Sequence, residues 1–489
     1  MAKRFSWVSG DSVHLNSQRL LTNKEPVRTR AWLTRVATSL NSIPLAVMLL
    51  GGGIVFGTIA IIGRPGIVLG GVVTKPENTL IVWASDKAHV APDFIAVVDF
   101  DEQSPTYGKV LSTVPLPSSL PTLVSGSTGA IGNEPHHLGI SADGKTLVLG
   151  GLLSVLRGQD QAFFYDVSEP RDPKFIRSDN PPASIADDFD PISNGGFLAT
   201  FMGGTSPEGA NPGRLVEYDA NQQFVQAWPV NPPTDGFDPH GLDIDEAHNL
   251  IVTSDFICPL HTLGVAGGEV MLRGSIRVWD FAQRSIVSKI VVGDPLNPAG
   301  TMDVKLIPHD RQLRAFTAGM ADGKLYLVDT KAGTASAVYD FSVHFGVANG
   351  PMPQLISINH DGKRMFISLN HAGKIVQFDI SNPKHPQVLD VVDLGPNSGP
   401  HYLTLSRNER RLVVSDYFLV EDLTPSGVVD AEGDHKIHVI KVYGNHMTLD
   451  PHFDLDFNRD IGTGPARPHG LALLRAKPVG PVNTTGKVH

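Results

Sequence analysis

Cysteine is almost absent from this 489-residue chain, which contains only Cys258. A single thiol cannot form an intrachain disulfide, so the fold must be held together by its hydrophobic core. Aromatic residues make up only 7% of the chain, and the charged residues, which sum to −10, are scattered singly rather than grouped in blocks. Because nucleic-acid-binding proteins carry a concentrated basic surface, this distribution excludes nucleic acid as a partner.

Several common catalytic motifs are also missing. The sequence has no G-x-S-x-G elbow, no phosphate-cradling glycine loop and no H-E-x-x-H helix. The run Gly51 to Gly53 lies inside an apolar segment, where it indicates helix packing rather than nucleotide binding.

That apolar segment, Ile43 to Ile62, contains no charge and is about as long as a helix that crosses a bilayer. The charged residues before it are mostly basic, with only Asp11 and Glu25 acidic, and the basic ones are Lys3, Arg4, Arg19, Lys24, Arg28, Arg30 and Arg35. By the positive-inside rule we expect a cytoplasmic N-terminus and a membrane-anchored domain on the extracytoplasmic side, periplasmic or extracellular. A cleaved signal peptide is the alternative, although such peptides are usually about 15 to 30 residues long.

The chain is therefore predicted to have five segments. These are a basic cytoplasmic leader at 1–42, a transmembrane anchor at 43–63, a linker at 64–77, a folded domain at 78–475 and a flexible tail at 476–489.

The folded domain repeats one pattern roughly every 40 to 60 residues, a period typical of propeller blades. Each copy is an apolar strand, a D-G-K-like turn, a second strand, a loop and a third strand that ends in Asp, as in HHLGISADGKTLVLGG followed by QAFFYDVSEP. Five clear copies and a degenerate one from Asp188 to about Val230 give six blades. We predict a seventh, composite blade, with its inner strand from 468–474 and its outer strands from 78–101. The fold class is all-β, a seven-bladed β-propeller closed by strands from both termini.

Four inner strands open with the same dipeptide, Pro-His, at His136, His240, His401 and His469, and His137 follows the first of these. The start of an inner strand lies close to the propeller axis, so these imidazoles are predicted to converge and bind a metal. Alternatively, each histidine only hydrogen-bonds a neighbouring strand as part of a recurrent turn. The other histidines of the outer strands and turns, His438 among them, are assigned no role.

Loops between second and third strands lie on the same face as the inner-strand starts. They contribute His371 as a possible further ligand, and Cys258, His261, Arg157, Asp255 and Asp416. Imidazole-rich sites favour copper, iron or zinc over calcium or magnesium. Asp255 and Asp416 are predicted to accept hydrogen bonds from the imidazoles, and with Arg157 they are the candidate catalytic residues.

Between residues 78 and 475 the sequence contains, in this order, APDFIAVVDFDEQSPTYGKVLSTVPLP, YDVSEPRDPKFI, GSIRVWDFAQRSIV, FDISNPKHPQVLDVVDLG and ARPHGL. Over this range the chain resembles the selenium-binding proteins, whose relatives include copper-dependent methanethiol oxidases. The resemblance implies a seven-bladed propeller in which His136, His137 and His469 serve a metal site.

Two departures from the family limit what the resemblance implies. The strand that holds an early cysteine in the selenium-binding member reads LIVWASDKA here, so selenium binding is not implied. The additional Pro-His units at His240 and His401 indicate a more strictly metal-dependent branch, whose substrate need not be methanethiol.

We therefore expect a copper-dependent oxidoreductase that acts on a small reduced sulfur compound such as a thiol. One alternative is a non-haem iron oxygenase of the carotenoid-cleavage type, which is also a seven-bladed propeller with four histidines. The other is a non-enzymatic propeller scaffold, which would expose aromatic residues at the channel mouth.

Overall fold

The computed structural model describes residues 76–263, 270–420 and 430–476. The predicted leader, the anchor and nearly all of the tail lie outside these ranges. Among the described residues, no helix has both the length and the apolar character needed to cross a bilayer. The described chain is all-β, and its strands form the seven antiparallel sheets of a β-propeller.

Blade 1 is composite, as predicted. Its strands, from the axis outward, are Ala466–Leu474, Thr79–Asp86, Phe94–Asp99 and Val110–Pro115. The innermost and second strands pair antiparallel, with Ile81 opposite Ala472 and Thr79 opposite Leu474. The C-terminal strand therefore closes the ring onto the first described strands, which leaves no open sheet edge between the two ends.

Blades 2 to 4 follow in chain order, each with its first strand innermost. Blade 2 consists of Pro135–Ile140, Thr146–Gly151, Ala162–Asp166 and Lys174–Asp179. Blade 3 consists of Ser184–Pro191, Phe197–Gly203, Arg214–Tyr218 and Phe224–Trp228. Blade 4 consists of Pro239–Asp245, Leu250–Ile257, Leu272–Asp280 and Ser285–Val291.

Blades 5 to 7 have the same plan. Blade 5 consists of Thr301–Leu306, Arg314–Gly319, Lys324–Asp329 and Thr334–Asp340. Blade 6 consists of Pro353–Ile358, Arg364–Leu369, Lys374–Asp379 and Gln387–Asp393. Blade 7 consists of Leu403–Leu405, Arg411–Ser415, Lys436–Tyr443 and His446–Leu449, with Leu455–Asp456 also paired to its third strand.

The loops contain short elements of secondary structure. Two-residue ladders pair Gly293–Asp294 with Asn297–Pro298 and Leu419–Val420 with Asp430–Ala431. Two 3-10 helices span Ser154–Arg157 and Glu246–His248, and two short α-helices span Pro259–Thr262 and Phe341–Phe345.

Local sequence explains the repeated strand-turn-strand unit. In the D-G-K turn after the first strand of blade 2, Gly144 has a φ of 73°, and Gly362 has a φ of 67° in the equivalent turn of blade 6. Glycine adopts this left-handed conformation without the steric penalty that a side chain would carry. The strands on either side of the turn are apolar because both of their faces are covered by neighbouring blades.

The hydrophobic core is divided among the seven interfaces between blades. Between blades 1 and 2, for example, Trp83, Phe163 and Tyr165 are fully buried, and the Trp83 indole N–H donates to the Gly150 carbonyl oxygen at 2.8 Å. An eighth apolar cluster, which includes Leu152, Phe256 and Phe418, lies over the central axis. This cluster forms the walls of the site described next.

Candidate metal centre

A β-bulge near the start of an inner strand recurs in blades 1 to 6. In each, two inner-strand residues lie opposite one residue of the second strand, at 136–137, 187–188, 240–241, 302–303, 354–355 and 469–470. A bulge interrupts the regular alternation of side chains and redirects them. The strand starts therefore deliver His136, His137, Asp187, His240, Gln354 and His469 to a common buried region, which His401 of blade 7 joins.

In two blades the histidine is followed by glycine, and the close packing of neighbouring inner strands explains this Pro-His-Gly sequence. A Cβ atom at Gly470 would lie 2.7 Å from the His136 carbonyl oxygen, and one at Gly241 would lie 2.8 Å from the Asp303 Cα. Since real side chains do not tolerate such contacts, glycine allows neighbouring inner strands to approach closely. That approach brings the preceding histidines together.

The five predicted histidines form one cluster. Each is at most 2% exposed. The His136 ring centroid lies 4.0 Å from that of His469 and 4.7 Å from that of His137, and the His401 centroid lies 4.6 Å from that of His469. The sequence alone therefore predicted which histidines the fold brings together.

Potential ligand atoms fall into two overlapping sets, within each of which they lie no more than 4.8 Å apart. One set is His136, His137, His401 and His469. The other is His136, His137, Asp187 and His240. Each set could hold one metal ion.

Unpaired polar atoms provide a test of whether a metal fits this cluster. Both nitrogens of His137 and His469 and both carboxylate oxygens of Asp187 are buried without a hydrogen-bond partner among the described residues. Asp187 does approach three imidazoles, at 3.2 Å from His137 Nδ1, 3.2 Å from His240 Nε2 and 3.5 Å from His136 Nε2. Buried polar groups are normally satisfied, so this concentration of unused lone pairs fits a bound cation.

One imidazole is oriented by a hydrogen bond to its other nitrogen. His401 Nδ1 lies 2.7 Å from the Gln354 Oε1, while its Nε2 has no partner in the described part of the chain. If Nδ1 donates to the amide oxygen, the lone pair is on Nε2, as a ligand requires. Contacts of this kind fix the tautomer and the ring orientation of metal-binding histidines.

The backbone of the cluster is held by hydroxyl groups from neighbouring blades. Ser368 Oγ donates to the His401 carbonyl oxygen at 2.9 Å, and Ser415 Oγ donates to that of His469 at 2.6 Å. The Thr200 hydroxyl donates to the His240 carbonyl in the same way. Each hydroxyl lies on the second strand of the preceding blade, so the contact ties one histidine to the blade beside it.

Burial sets the protonation of the cluster. It is the largest cause of a strongly lowered pKa at His136, His240, His401 and His469, and neighbouring imidazoles lower these pKa values further. These four rings are therefore neutral at neutral pH, which metal binding requires. At His137 burial also lowers the pKa, but the carboxylates of Asp187 and Asp188 more than offset this and the pKa is raised. Burial raises the pKa of Asp187 to about 7 against the effect of His137.

An apolar cavity opens onto the cluster and has about 190 Å³ of water-accessible space. His136, Asp187 and His240 line its polar end. The rest is lined mainly by Leu152, Met202, Phe256, Ile257, Leu263, Met320, Met352, Phe418 and Leu419. The Phe256 ring centroid lies 4.9 Å from that of His240, and the Phe418 centroid 4.7 Å from that of His401, so apolar side chains press directly against the imidazoles.

The other sequence candidates belong to neither ligand set of the described histidine cluster. His371 lines the cavity but is exposed, with its Nδ1 3.3 Å from the Asn349 carbonyl oxygen. Cys258 is buried at the N-cap of the helix Pro259–Thr262, and His261 lies within that helix. Arg157 ends the 3-10 helix Ser154–Arg157 and donates no hydrogen bond to the histidines within the described ranges.

The predicted contacts of Asp255 and Asp416 with the imidazoles of the cluster are not present among the described residues. Asp255 binds Arg277 Nε at 2.7 Å and Ser275 Oγ at 2.6 Å, and Asp416 pairs with His438 Nε2 at 2.9 Å. Both carboxylates instead contact the third strand of their own blade. Their catalytic role stays a prediction.

Gln354 makes the contact with an imidazole that had been expected of those carboxylates, and Asp187 lies 3.2 Å from His137 Nδ1 and from His240 Nε2. Sequence reasoning missed both residues. Each occupies the bulge position that holds histidine in the Pro-His blades. Gln354 follows a proline, as the histidines do, so aligning all seven inner strands would have revealed it. Asp187 lies in the degenerate blade, where no proline marks the strand start.

Comparisons with known proteins agree with this architecture. The chain matches the 56 kDa selenium binding protein family over residues 70–476. It is 26% identical over 331 residues to a methanethiol oxidase of a Hyphomicrobium species, covering 65% of this chain and 70% of that protein. It is 24% identical over 450 residues to the methanethiol oxidase of Rattus norvegicus, covering 78% of this chain and 89% of that protein.

A similar fold is known from a hypothetical selenium-binding protein of Sulfolobus tokodaii. The two structures superpose with a TM-score of 0.65 at 20% sequence identity, over 82% of this chain and 94% of the other. The periplasmic gluconolactonase of Pseudomonas aeruginosa matches with a TM-score of 0.55 at 12% identity. Identities this low establish the shared fold and nothing about the reaction.

Proposed function

Because the chain belongs to the 56 kDa selenium-binding protein family, we propose that it is a metal-dependent oxidase of small apolar thiols. The observation that carries the proposal is the cluster of five buried histidines at the end of an apolar cavity. The relatives named methanethiol oxidase support thiol oxidation as its reaction.

Copper is the metal we propose, held by His136, His137, His401 and His469. Four neutral imidazoles without thiolate ligands suit copper, with iron as the alternative. When bound, a copper ion would accept electrons from the thiol and pass them to dioxygen. His240 and Asp187 complete the polar end of the cavity beside this set.

Residues of the chain itself bind the thiol and accept its proton. Asp187 lines the cavity, and its pKa of about 7 allows it to take up a proton from the thiol near neutral pH. Met202, Phe256 and Phe418 exclude water from the sulfur and supply dispersion contacts to the hydrocarbon group.

The cavity also limits the size and polarity of the substrate. An engineered apolar cavity of about 150 Å³ holds benzene. With about 190 Å³ available, this site accommodates alkyl or aryl thiols considerably larger than methanethiol. Charged thiols such as cysteine would have to lose their hydration in an apolar pocket and are expected to be poor substrates.

Metal analysis of the purified full-length protein tests the proposal. We expect about one copper per chain by mass spectrometry, and a Cu(II) signal with nitrogen hyperfine structure by electron spin resonance. Replacing His401 with alanine removes one imidazole of the four and is expected to abolish stoichiometric copper and to lower thiol oxidation by at least about 100-fold. His240→Ala tests whether the second ligand set contributes.

His435→Ala is the matched control. His435 is only 1% exposed and lies on the same face, but its Nδ1 contacts Asn458 at 3.0 Å rather than the cluster. The control should retain copper and activity. Protein without a stoichiometric transition metal, or unchanged metal content in both the His240 and His401 variants, would refute the proposal.

Iron is the second candidate metal, because a four-histidine site also occurs in iron oxygenases of the carotenoid-cleavage type. The same spectroscopic measurement separates Cu(II) from Fe(II). A non-enzymatic scaffold is expected to expose aromatic residues at the mouth of the channel. Tyr417 and Phe418 are instead buried, which argues against this alternative.

A further inference from the structure

A second group of potential metal ligands lies in blade 7, apart from the histidine cluster. Asp416 directly follows the second strand, Arg411–Ser415, and His438 belongs to the third strand, Lys436–Tyr443. Asp434 lies two residues before the third strand. One potential ligand atom from each of the three side chains lies within 4.8 Å of the others.

The buried member of this group has no hydrogen-bond donor. The Asp416 side chain is 0% exposed, and neither of its carboxylate oxygens has a hydrogen-bond partner among the described residues. His438 Nε2 is 2.9 Å from an Asp416 oxygen, yet it too is without a hydrogen bond in the described chain.

This arrangement is energetically costly without a further partner. Burial raises the pKa of Asp416 to about 7, even though His438 opposes the shift. An ionised carboxylate in such a place normally binds a donor or coordinates a metal. A cation placed among the three side chains would use the lone pairs that the protein leaves unused.

We propose that Asp416, Asp434 and His438 bind one Zn²⁺ ion at a site that the histidine cluster does not share. Zinc accepts imidazole nitrogen and carboxylate oxygen together, whereas calcium and magnesium favour sites made only of oxygen. The Asp434 side chain is 28% exposed and that of His438 is 19% exposed, so water can reach the site and complete the coordination. None of its three ligands belongs to either ligand set of the histidine cluster.

The expected role of this ion is structural. It would join the end of the second strand to the start of the third strand of blade 7. Tyr417 and Phe418 follow Asp416 directly, and the Phe418 ring packs against His401 at 4.7 Å. An ion at Asp416 would therefore fix the backbone that carries one wall of the substrate cavity.

One contact opposes zinc and makes the proposal testable. Lys436 Nζ lies 2.6 Å from an Asp434 oxygen, where its positive charge competes with a cation. Lys436 is 41% exposed and can turn toward solvent when zinc binds. Replacing it with methionine should tighten zinc binding about tenfold, because a like charge beside the ion is removed.

The experiment titrates the metal-free, full-length protein with Zn²⁺ alone by calorimetry and counts bound zinc by mass spectrometry. His438→Ala and Asp434→Asn should each lower the zinc count by one relative to wild type. His446→Ala is the matched control in the same blade, since His446 is 66% exposed and pairs with Asp390 at 2.7 Å. This control should leave the count unchanged.

Two results would overturn the proposal. The first is a His438→Ala protein that binds as much zinc as wild type. The second is a Lys436→Met protein whose zinc affinity is unchanged or weaker, which identifies Asp434 and Lys436 as an ordinary ion pair. The lysine variant removes no ligand, so it remains informative if the other variants fold poorly. Neither result depends on copper content or thiol oxidation.

Discussion

Asp187 and Asp188 are adjacent in the sequence, both are buried, and they occupy opposite environments. The Asp187 carboxylate faces three imidazoles, and neither of its oxygens has a hydrogen-bond donor among the described residues. The Asp188 carboxylate accepts hydrogen bonds from the backbone N–H groups of Phe189 and Leu242 and lies 3.5 Å from the Lys305 ammonium. The bulge directs Asp187 toward the imidazoles of the histidine cluster and Asp188 toward Lys305.

The protonation of the two carboxylates differs accordingly. Burial raises the pKa of Asp187 to about 7. Burial would also raise that of Asp188, but Lys305 and His137 outweigh it and the net pKa is lowered. Asp188 thus has a cation of the protein itself, Lys305, at 3.5 Å, whereas Asp187 faces the imidazoles. Adjacent residues of one type can therefore have pKa values shifted in opposite directions.

The largest expected effect comes from removing the internal cation. Lys305→Met leaves the carboxylates of Asp188 and Asp303 without the ammonium that lies 3.5 Å from each. Uncompensated buried charge is costly, so we expect the free energy of unfolding to fall by about 3 kcal/mol, measured by urea denaturation. Copper content should be preserved, because Lys305 is not a ligand in either set.

Lys324→Met is the control for this change. Lys324 is 39% exposed and only 4.0 Å from Asp322, so its loss should alter stability by less than about 0.5 kcal/mol. Equal destabilisation by both variants would mean that Lys305 is an ordinary surface charge. If the Lys305 variant loses copper while the Lys324 variant keeps it, Lys305 also supports metal binding by the histidine cluster, and its effect is not confined to stability.

The sequence predicted the repeated parts of this molecule and missed the irregular ones. Blade count, composite closure and the meeting of His136, His240, His401 and His469 all follow from a strand pattern and a Pro-His dipeptide that recur. Asp187 lies in the blade without that dipeptide.

The orientation of single side chains was less predictable. Asp255 and Asp416 were expected to contact the imidazoles, but which way a side chain points near a strand end depends on its neighbours. For Asp255 those neighbours are Arg277 and Ser275, and for Asp416 the neighbour is His438. A periodic pattern contains no information about such contacts. The N-terminal anchor lies outside the described residues and stays a prediction.

A smaller effect is expected from the residue that orients His401. Gln354→Leu removes the amide oxygen 2.7 Å from His401 Nδ1 but keeps a side chain of similar size. Copper affinity should fall about 10- to 100-fold, as is typical when such a partner is lost, measured by competition with a chelator. Gln377→Leu is the control, because Gln377 is equally buried in blade 6 but donates to the Gly444 carbonyl instead. Equal losses of affinity in the two variants would show that burial of the amide matters and orientation does not.

The smallest effect concerns Asp243, which lies near Lys305 in the channel and accepts a hydrogen bond from the Leu306 N–H at 2.7 Å. Burial raises its pKa from 3.8 to about 6, with Lys305 opposing. Between these values the unfolded chain releases the proton and the folded protein retains it, so this group lowers stability as the pH rises. Relative to Asp243→Asn, wild type should lose about 1–2 kcal/mol of unfolding free energy between pH 4 and pH 7.

Asp361→Asn gives the comparison of opposite sign. Burial tends to raise the pKa of Asp361, but hydrogen bonds, including one from the Lys363 N–H at 3.0 Å, lower it overall. Wild type should therefore gain stability relative to that variant as the pH rises toward 4 and above. Urea denaturation of the three proteins across this pH range measures both slopes. If Asp243→Asn shows the same pH dependence as wild type, the pKa of Asp243 is not raised in the folded protein, and the ammonium of Lys305 offsets the burial of that carboxylate.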